Sequence, residues 1–211
     1  MKKLLLLLSL LLATNVWPEE IRRYFSNDGS LEEEATFVNG KLDGPYSDYH
    51  ENGNYQSIGQ YSNDEMSGSW RFFSNDGFLF EVIKYMNGLE NGIATTFYPS
   101  GAVRCKTSYV DGLSEGVRQS FYPDGQIRVQ HTYKSGKLQG KGHAWSKEGQ
   151  LIVEFNDVNG KEKERAFYDG LSEDEAWDLL LDISKVEDKR GISDHDTGFV
   201  LFPCGYEDKA Y

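Results

Sequence analysis

Side chains able to do chemistry are few in this sequence, and they are scattered. Four histidines stand far apart, at His50, His131, His143 and His195. A zinc site needs several nitrogen, sulfur or carboxylate ligands converging on one point. Only His131 and His143 fall close enough in the pattern described below to face each other across a hairpin, and no further ligand joins them. Asp194-His195-Asp196 has the residue types of a cation site or an oriented imidazole, but it lies in a polar stretch that reads as exposed loop. A G-x-S-x-G nucleophile elbow, a Walker A loop and an H-E-x-x-H helix are absent. Residues 136–142 have the composition of a phosphate loop without its spacing. The expectation is a non-enzymatic chain, with no catalytic residue, no metal and no cofactor assigned.

Cys105 and Cys204 form one even pair. A disulfide is compatible with an exported chain, and the alternative is two unpaired thiols. A bond would have to bring the C-terminal segment back over about two copies of the repeat described below. Charge excludes more than it suggests. A formal net charge of −12 argues against nucleic acid, whose phosphates need a surplus of Lys and Arg. Residues 93–170 hold 11 bases and 9 acids, whereas residues 171–211 hold 4 and 11, so the middle of the chain is its one basic region. Arg104, Lys106 and Arg128 read as a stripe on one sheet face, opposite Val103 and Tyr109. The stripe fits an acidic protein surface and, more weakly, anionic lipid, because the net charge opposes a membrane at long range.

The elements that must carry these residues follow a strict period. Gly29, Gly53, Gly77, Gly101, Gly125 and Gly149 are each 24 residues from the last. Four residues before each comes an aromatic: Phe25, Tyr49, Phe73, Phe97, Phe121 and Trp145. Eight after come Phe37, Tyr61, Tyr85, Tyr109 and Tyr133; further glycines recur eleven and fifteen residues on, with Asp64 replacing the glycine in the second copy. Such self-similarity marks a stacked repeat architecture. Pairs such as Asp28-Gly29 and Asn39-Gly40 are turn chemistry, since Gly and Asn tolerate positive φ. The runs between them suit strands and are too short for helices. Side-chain alternation puts positions two, four, six and eight after the turn glycine on one face. The glycines eleven and fifteen residues on are expected to bracket the second turn. The chain therefore reads as all-β: an elongated antiparallel meander, a solenoid-like single sheet of about six 24-residue hairpin repeats.

Two segments lie outside the period. Met1-Lys2-Lys3 and the apolar stretch 4–13 read as a secretory signal, residues 1–17, because ten apolar residues fall short of the ~20 that span a bilayer as a helix. At the other end, Ser172 and Glu175 have capping-box spacing, and Ala176, Leu179, Leu180 and Ile183 follow at helical intervals. A capping helix over roughly 173–186 covers the last hairpin, and 199–202 reads as one more extended segment. The organisation is then signal peptide 1–17, repeat domain 24–170, and helical cap and tail 171–211, with export to the periplasm, the envelope or the exterior.

Phe97-Tyr98-Pro99-Ser100-Gly101, followed by Tyr109-Val110-Asp111-Gly112 and Gly116, resembles the MORN repeat, and in particular its bacterial variant. The resemblance implies hairpin repeats and interaction rather than catalysis. It also implies an antitoxin or immunity role beside a toxin, or lipid association as in eukaryotic members. The expected partner is another protein, a toxin or an envelope protein, with membrane lipid as the alternative. The residues expected to touch it are Tyr85, Phe97, Tyr109, Phe121 and Tyr133, as exposed members of the aromatic columns, and Arg104, Lys106 and Arg128.

Overall fold

The computed structural model describes residues 3–6 (backbone only), 19–168, 170–172 and 174–176. In chain order the strands are β1 (Lys3–Leu6), β2 (Glu20–Phe25), β3 (Leu31–Val38), β4 (Lys41–Tyr49), β5 (Tyr55–Ser62), β6 (Glu65–Phe73), β7 (Leu79–Met86), β8 (Leu89–Glu90) and β9 (Gly92–Phe97). They continue with β10 (Val103–Val110), β11 (Leu113–Ser114), β12 (Gly116–Phe121), β13 (Ile127–Lys134), β14 (Lys137–Leu138), β15 (Gly140–Trp145), β16 (Leu151–Val158) and β17 (Lys161–Phe167). The chain divides into two compact units, Met1–Gly101 with Tyr109–Gly112, and Ala102–Ser108 with Leu113–Tyr211. Each is a meander of antiparallel hairpins, as the 24-residue period predicts.

Two kinds of turn build every copy. At the register glycine, Gly125 N–H donates to Tyr122 O (2.9 Å) and Tyr122 N–H to Gln126 O (2.8 Å). With Gly125 at φ +90°, this is the three-residue loop that needs a left-handed residue at its end. The second turn is shorter than expected. Asn87 and Gly88 have φ of 52° and 73°, and Asp111 and Gly112 of 48° and 78°, which is a two-residue turn with both central residues left-handed. The glycine fifteen residues after the register glycine therefore does not bracket the turn; it lies inside the next strand. Successive two-residue turns are tied together: Gly88 N–H donates to Met66 O (3.1 Å) in the first unit, and Gly136 N–H to Ser114 O (2.9 Å) in the second.

A bulge corrects the expected face assignment. Ser120 opposes Val129, but Phe121 opposes Ile127, so Arg128 is an extra residue. The same slip recurs between Tyr24 and Phe25, Asp48 and Tyr49, Phe72 and Phe73, and Ala144 and Trp145. One added residue reverses the alternation. The residue two after the register glycine thus joins the aromatic four before it, as Tyr55 stacks on Tyr49 at 4.9 Å. Positions four, six and eight stay on the opposite, buried face.

In the first unit that buried face centres on Trp70, Ile83 and Ala94, with Tyr46, Tyr61, Met66, Phe72, Tyr85 and Tyr109 packed around them. Trp70 lies 5.2 Å from Tyr61 and 5.6 Å from Tyr46, and its ring covers Gly59, where a Cβ would stand 2.2 Å from it. In the second unit the core is Val129, Ala144, Ile152, Val153, Phe155 and Ala176, with Phe167 and Leu171 against it. Here Phe155 covers Gly142 in the same way.

The capping box forms as expected: Ser172 N–H donates to Glu175 Oε2 (2.8 Å) and Glu175 N–H to Ser172 Oγ (3.3 Å). Residues 174–176 are helical. The rest of the expected helix, the segment 199–202, Cys204 and Asp194-His195-Asp196 lie outside the described residues. At the other end, the backbone of β1, within the expected signal peptide, pairs antiparallel with β2, Leu4 opposite Tyr24.

Candidate protein-binding surface

The expected contact residues divide between the two faces. Tyr85 and Tyr109 pack against the Trp70 core. Tyr133 belongs to the corresponding face of the second unit, where Arg118 Nη1 donates to its hydroxyl at 3.3 Å. Phe97 and Phe121 point the other way, each adjacent to a tyrosine, Tyr98 or Tyr122, that is fully interior. All five expected rings are half-buried rather than exposed, because stacking between copies uses much of each ring.

The basic stripe also separates. Lys106 is exposed, its ammonium 5.9 Å from the Phe121 ring centre. Arg128, the bulge residue, is only 7% exposed and lies 5.8 Å from the Tyr122 ring centre. Arg104 holds the equivalent position in its copy and is half-buried. Arg128 is thus enclosed at the bulge, while Lys106 is exposed.

His131 and His143 do not meet as a ligand pair. Gln130 is the residue opposite His143, so His131 points to the other face, 4.4 Å from the Phe155 ring. Burial there, reinforced by the positive charges of Arg118 and His143, lowers its pKa to about 3. Cys105 is buried and disulfide-bonded. Among the described residues no group of three or more His, Cys, Asp or Glu is placed to hold a metal ion.

Exposed apolar side chains gather elsewhere, beside the two-residue turns. In the first unit they are Met86, Leu89, Ile93 and Val110, and in the second Leu113 and Val117, all between 47% and 59% exposed. Met86 opposes Leu89 across the turn, and Leu89 Cδ2 reaches the turn of the following copy, 3.5 Å from where a Gly112 Cβ would be. The sequence carried a signal for this. Copies one, two and five place a charge and then an apolar residue after the turn: Lys41-Leu42, Glu65-Met66, Lys137-Leu138. Copies three and four reverse the order, as Leu89-Glu90 and Leu113-Ser114, and so present leucine to solvent. The positions of Met86 and Ile93 are Lys134 and Lys141 in copy five. A search for constant columns passes over such departures.

Antiparallel hairpins at a 24-residue period, tied turn to turn, define a hairpin-repeat module. Residues 42–63, 90–111 and 114–135 match the MORN repeat variant, and these segments are MORN-variant repeats. All three matches begin at the same place in the period. MORN repeats are in general protein- or lipid-binding modules. No curated protein shows significant similarity to the chain.

Proposed function

We propose that the chain is a non-catalytic scaffold acting outside the cytoplasm, where it binds another protein through the turn edge of the first unit, at Met86, Leu89, Ile93 and Val110. The observation that carries this is the reversed order at Leu89-Glu90 and Leu113-Ser114, which exposes leucine where other copies expose charge. Nothing in the packing requires it, since Lys137 occupies the same place in copy five and is equally exposed. Apolar side chains of this kind become fully buried at the centre of protein interfaces, with charge excluded from that centre. The positive n-region and short apolar stretch at the N-terminus support export. An antitoxin or immunity component of the envelope is the specific form of this reading, and a toxin-like neighbouring gene would favour it.

The test places a photo-crosslinking residue at position 89 or 93 in the full chain, with position 137 as control. One discrete protein adduct at 89 and 93 only, lost on Met86→Lys or Val110→Lys, is the expected result. Each lysine should weaken binding by about tenfold or more. Adducts to lipid alone, or equal labelling at 137, would replace protein binding with the membrane alternative or with no specific surface.

A further inference from the structure

The second unit carries another surface that this turn edge does not use. On the face of Lys106, one polar side chain per strand forms a line across the sheet. Lys106 opposes Gln119, Gln119 opposes Gln130, Gln130 opposes His143 and His143 opposes Glu154, on strands β10, β12, β13, β15 and β16. Gln119 Nε2 donates to Gln130 Oε1 at 2.9 Å, and Glu154 contacts His143 Nε2 at 3.2 Å and Lys141 Nζ at 2.7 Å. Beside the line, on the same face, stand the half-buried rings of Phe121 on β12 and Trp145 on β15. His143 lies 5.6 Å from the Trp145 ring.

Spacing and charge restrict what can lie on such a line. Polar groups recur at the strand spacing of ~4.8 Å and rings at twice that, ~9.6 Å. An extended peptide advances only ~3.3 Å per residue and drifts out of step within two strands. The Glu154 charge is already met by the Lys141 ammonium at 2.7 Å, with His143 Nε2 at 3.2 Å, so the line offers mainly neutral amide donors and acceptors. That complements an uncharged, hydroxyl-rich polymer better than an acidic or a basic one. Nucleic acid would need many free cations along the path. In a β-1,4-linked glycan each pyranose advances by nearly one strand spacing, and alternate sugars turn the same face downward. One sugar per polar residue and one C–H face per ring then coincide with this arrangement.

We propose that the Gln119–Gln130–His143 line, with Phe121 and Trp145, is a binding subsite for an extended β-1,4-linked polysaccharide laid across the strands. The subsite is independent of the protein-binding edge and can stand or fall alone. The experiment is calorimetric titration of the full chain with cellohexaose and chitohexaose, each compared with its disaccharide. A site spanning five strands should bind a hexasaccharide about tenfold or more tighter than a disaccharide. Trp145→Ala should weaken that binding by a similar factor. So should the double variant Gln119→Ala/Gln130→Ala, which removes only side chains bonded to each other and so reads the site even if the Trp145 variant unfolds. Absence of binding by both hexasaccharides at millimolar concentration would overturn the proposal. So would hexasaccharide binding no tighter than disaccharide binding, or binding unchanged in the double glutamine variant.

Discussion

One methyl group added at residue 142 should measurably destabilise the second unit. Gly142 on β15 opposes Phe155 on β16. A Cβ there would stand 1.9 Å from Phe155 Cε2 and 2.7 Å from Cδ2 and Cζ. Carbon atoms settle at about 3.5–4.0 Å, so the ring must retreat by roughly 1.5–2 Å. It has nowhere to go: Phe155 is 2% exposed, packed among Val129, Ala144, Ile152, Val153 and Ala176, with His131 4.4 Å away. Gly142 does not have a left-handed φ, so alanine meets no backbone strain and the cost is steric alone. Overpacking a tight core costs about 1–3 kcal/mol and occasionally more. Against it stands a gain of about 0.4–1 kcal/mol from the stiffer unfolded chain. The expected net loss for Gly142→Ala is about 1–2 kcal/mol, read as a lower urea midpoint at unchanged slope. Phe155→Ala alone should cost about 3–5 kcal/mol, and in that background Gly142→Ala should become neutral or stabilising. A double-mutant cycle would then report about 2 kcal/mol of coupling or more. A Gly142→Ala variant within about 0.5 kcal/mol of the parent, or two losses that simply add, would refute the ring-over-glycine argument.

Two other perturbations test the same packing from different sides. The pKa of His131 falls from its ordinary 6.5 to about 3 on folding, so below pH 6.5 the unfolded chain takes up a proton that the folded chain refuses. Its contribution is constant above that pH and falls by about 1.4 kcal/mol per pH unit down to about 3. Asp157, whose pKa is raised by burial and by Glu162, tilts stability the opposite way in the acid range. The His131 effect is therefore the difference between parent and His131→Asn, about 2 kcal/mol between pH 7 and pH 5; parallel urea-stability curves at the two pH values would contradict it. Asp64 stands left-handed at φ 72° where other copies have glycine, and its carboxylate accepts from Leu42 N–H at 2.8 Å. Asp64→Gly trades about 1 kcal/mol of backbone strain for about 1 kcal/mol of hydrogen bond and should be near neutral in thermal unfolding. Asp64→Ala keeps the strain and loses the bond, and should lower stability by about 1 kcal/mol.

The 24-residue period, the register-glycine turn and the Ser172–Glu175 cap were legible in the sequence because each is enforced by residue type, whereas the second turn proved shorter than expected. Positive φ selects Gly or Asn, and a capping box needs a hydroxyl and a carboxylate three apart. The face assignment was not legible. A bulge is one extra residue with no side-chain signature: its position holds Gln56, Phe80, Arg128 and Ile152 in different copies. Strict alternation carried across it puts Arg128 in solvent and Leu79 in the core, and both are misplaced. Gly59 and Gly142 escaped for another reason. They lie out of phase with the repeating glycines, and only the neighbouring strand shows that each makes room for a ring.

Constant and variable columns report different constraints in a chain of this kind. The two-residue turn holds left-handed residues, so its glycine column hardly changes, and that column's one departure, Asp64, comes with a compensating bond to Leu42. The Leu89 column is exposed in all six copies and the Met86 and Ile93 columns in five each, Val38 and Arg165 being the half-buried members. They read Ser62, Glu65 and Ser69 in copy two, and Lys134, Lys137 and Lys141 in copy five. Free columns ordinarily fill with polar residues, because exposed apolar ones invite association. Copies three and four do the opposite, with aliphatic residues and methionine at all three columns in the first unit and Leu113 and Val117 in the second. Packing does not account for that choice, whereas the protein-binding edge proposed above would.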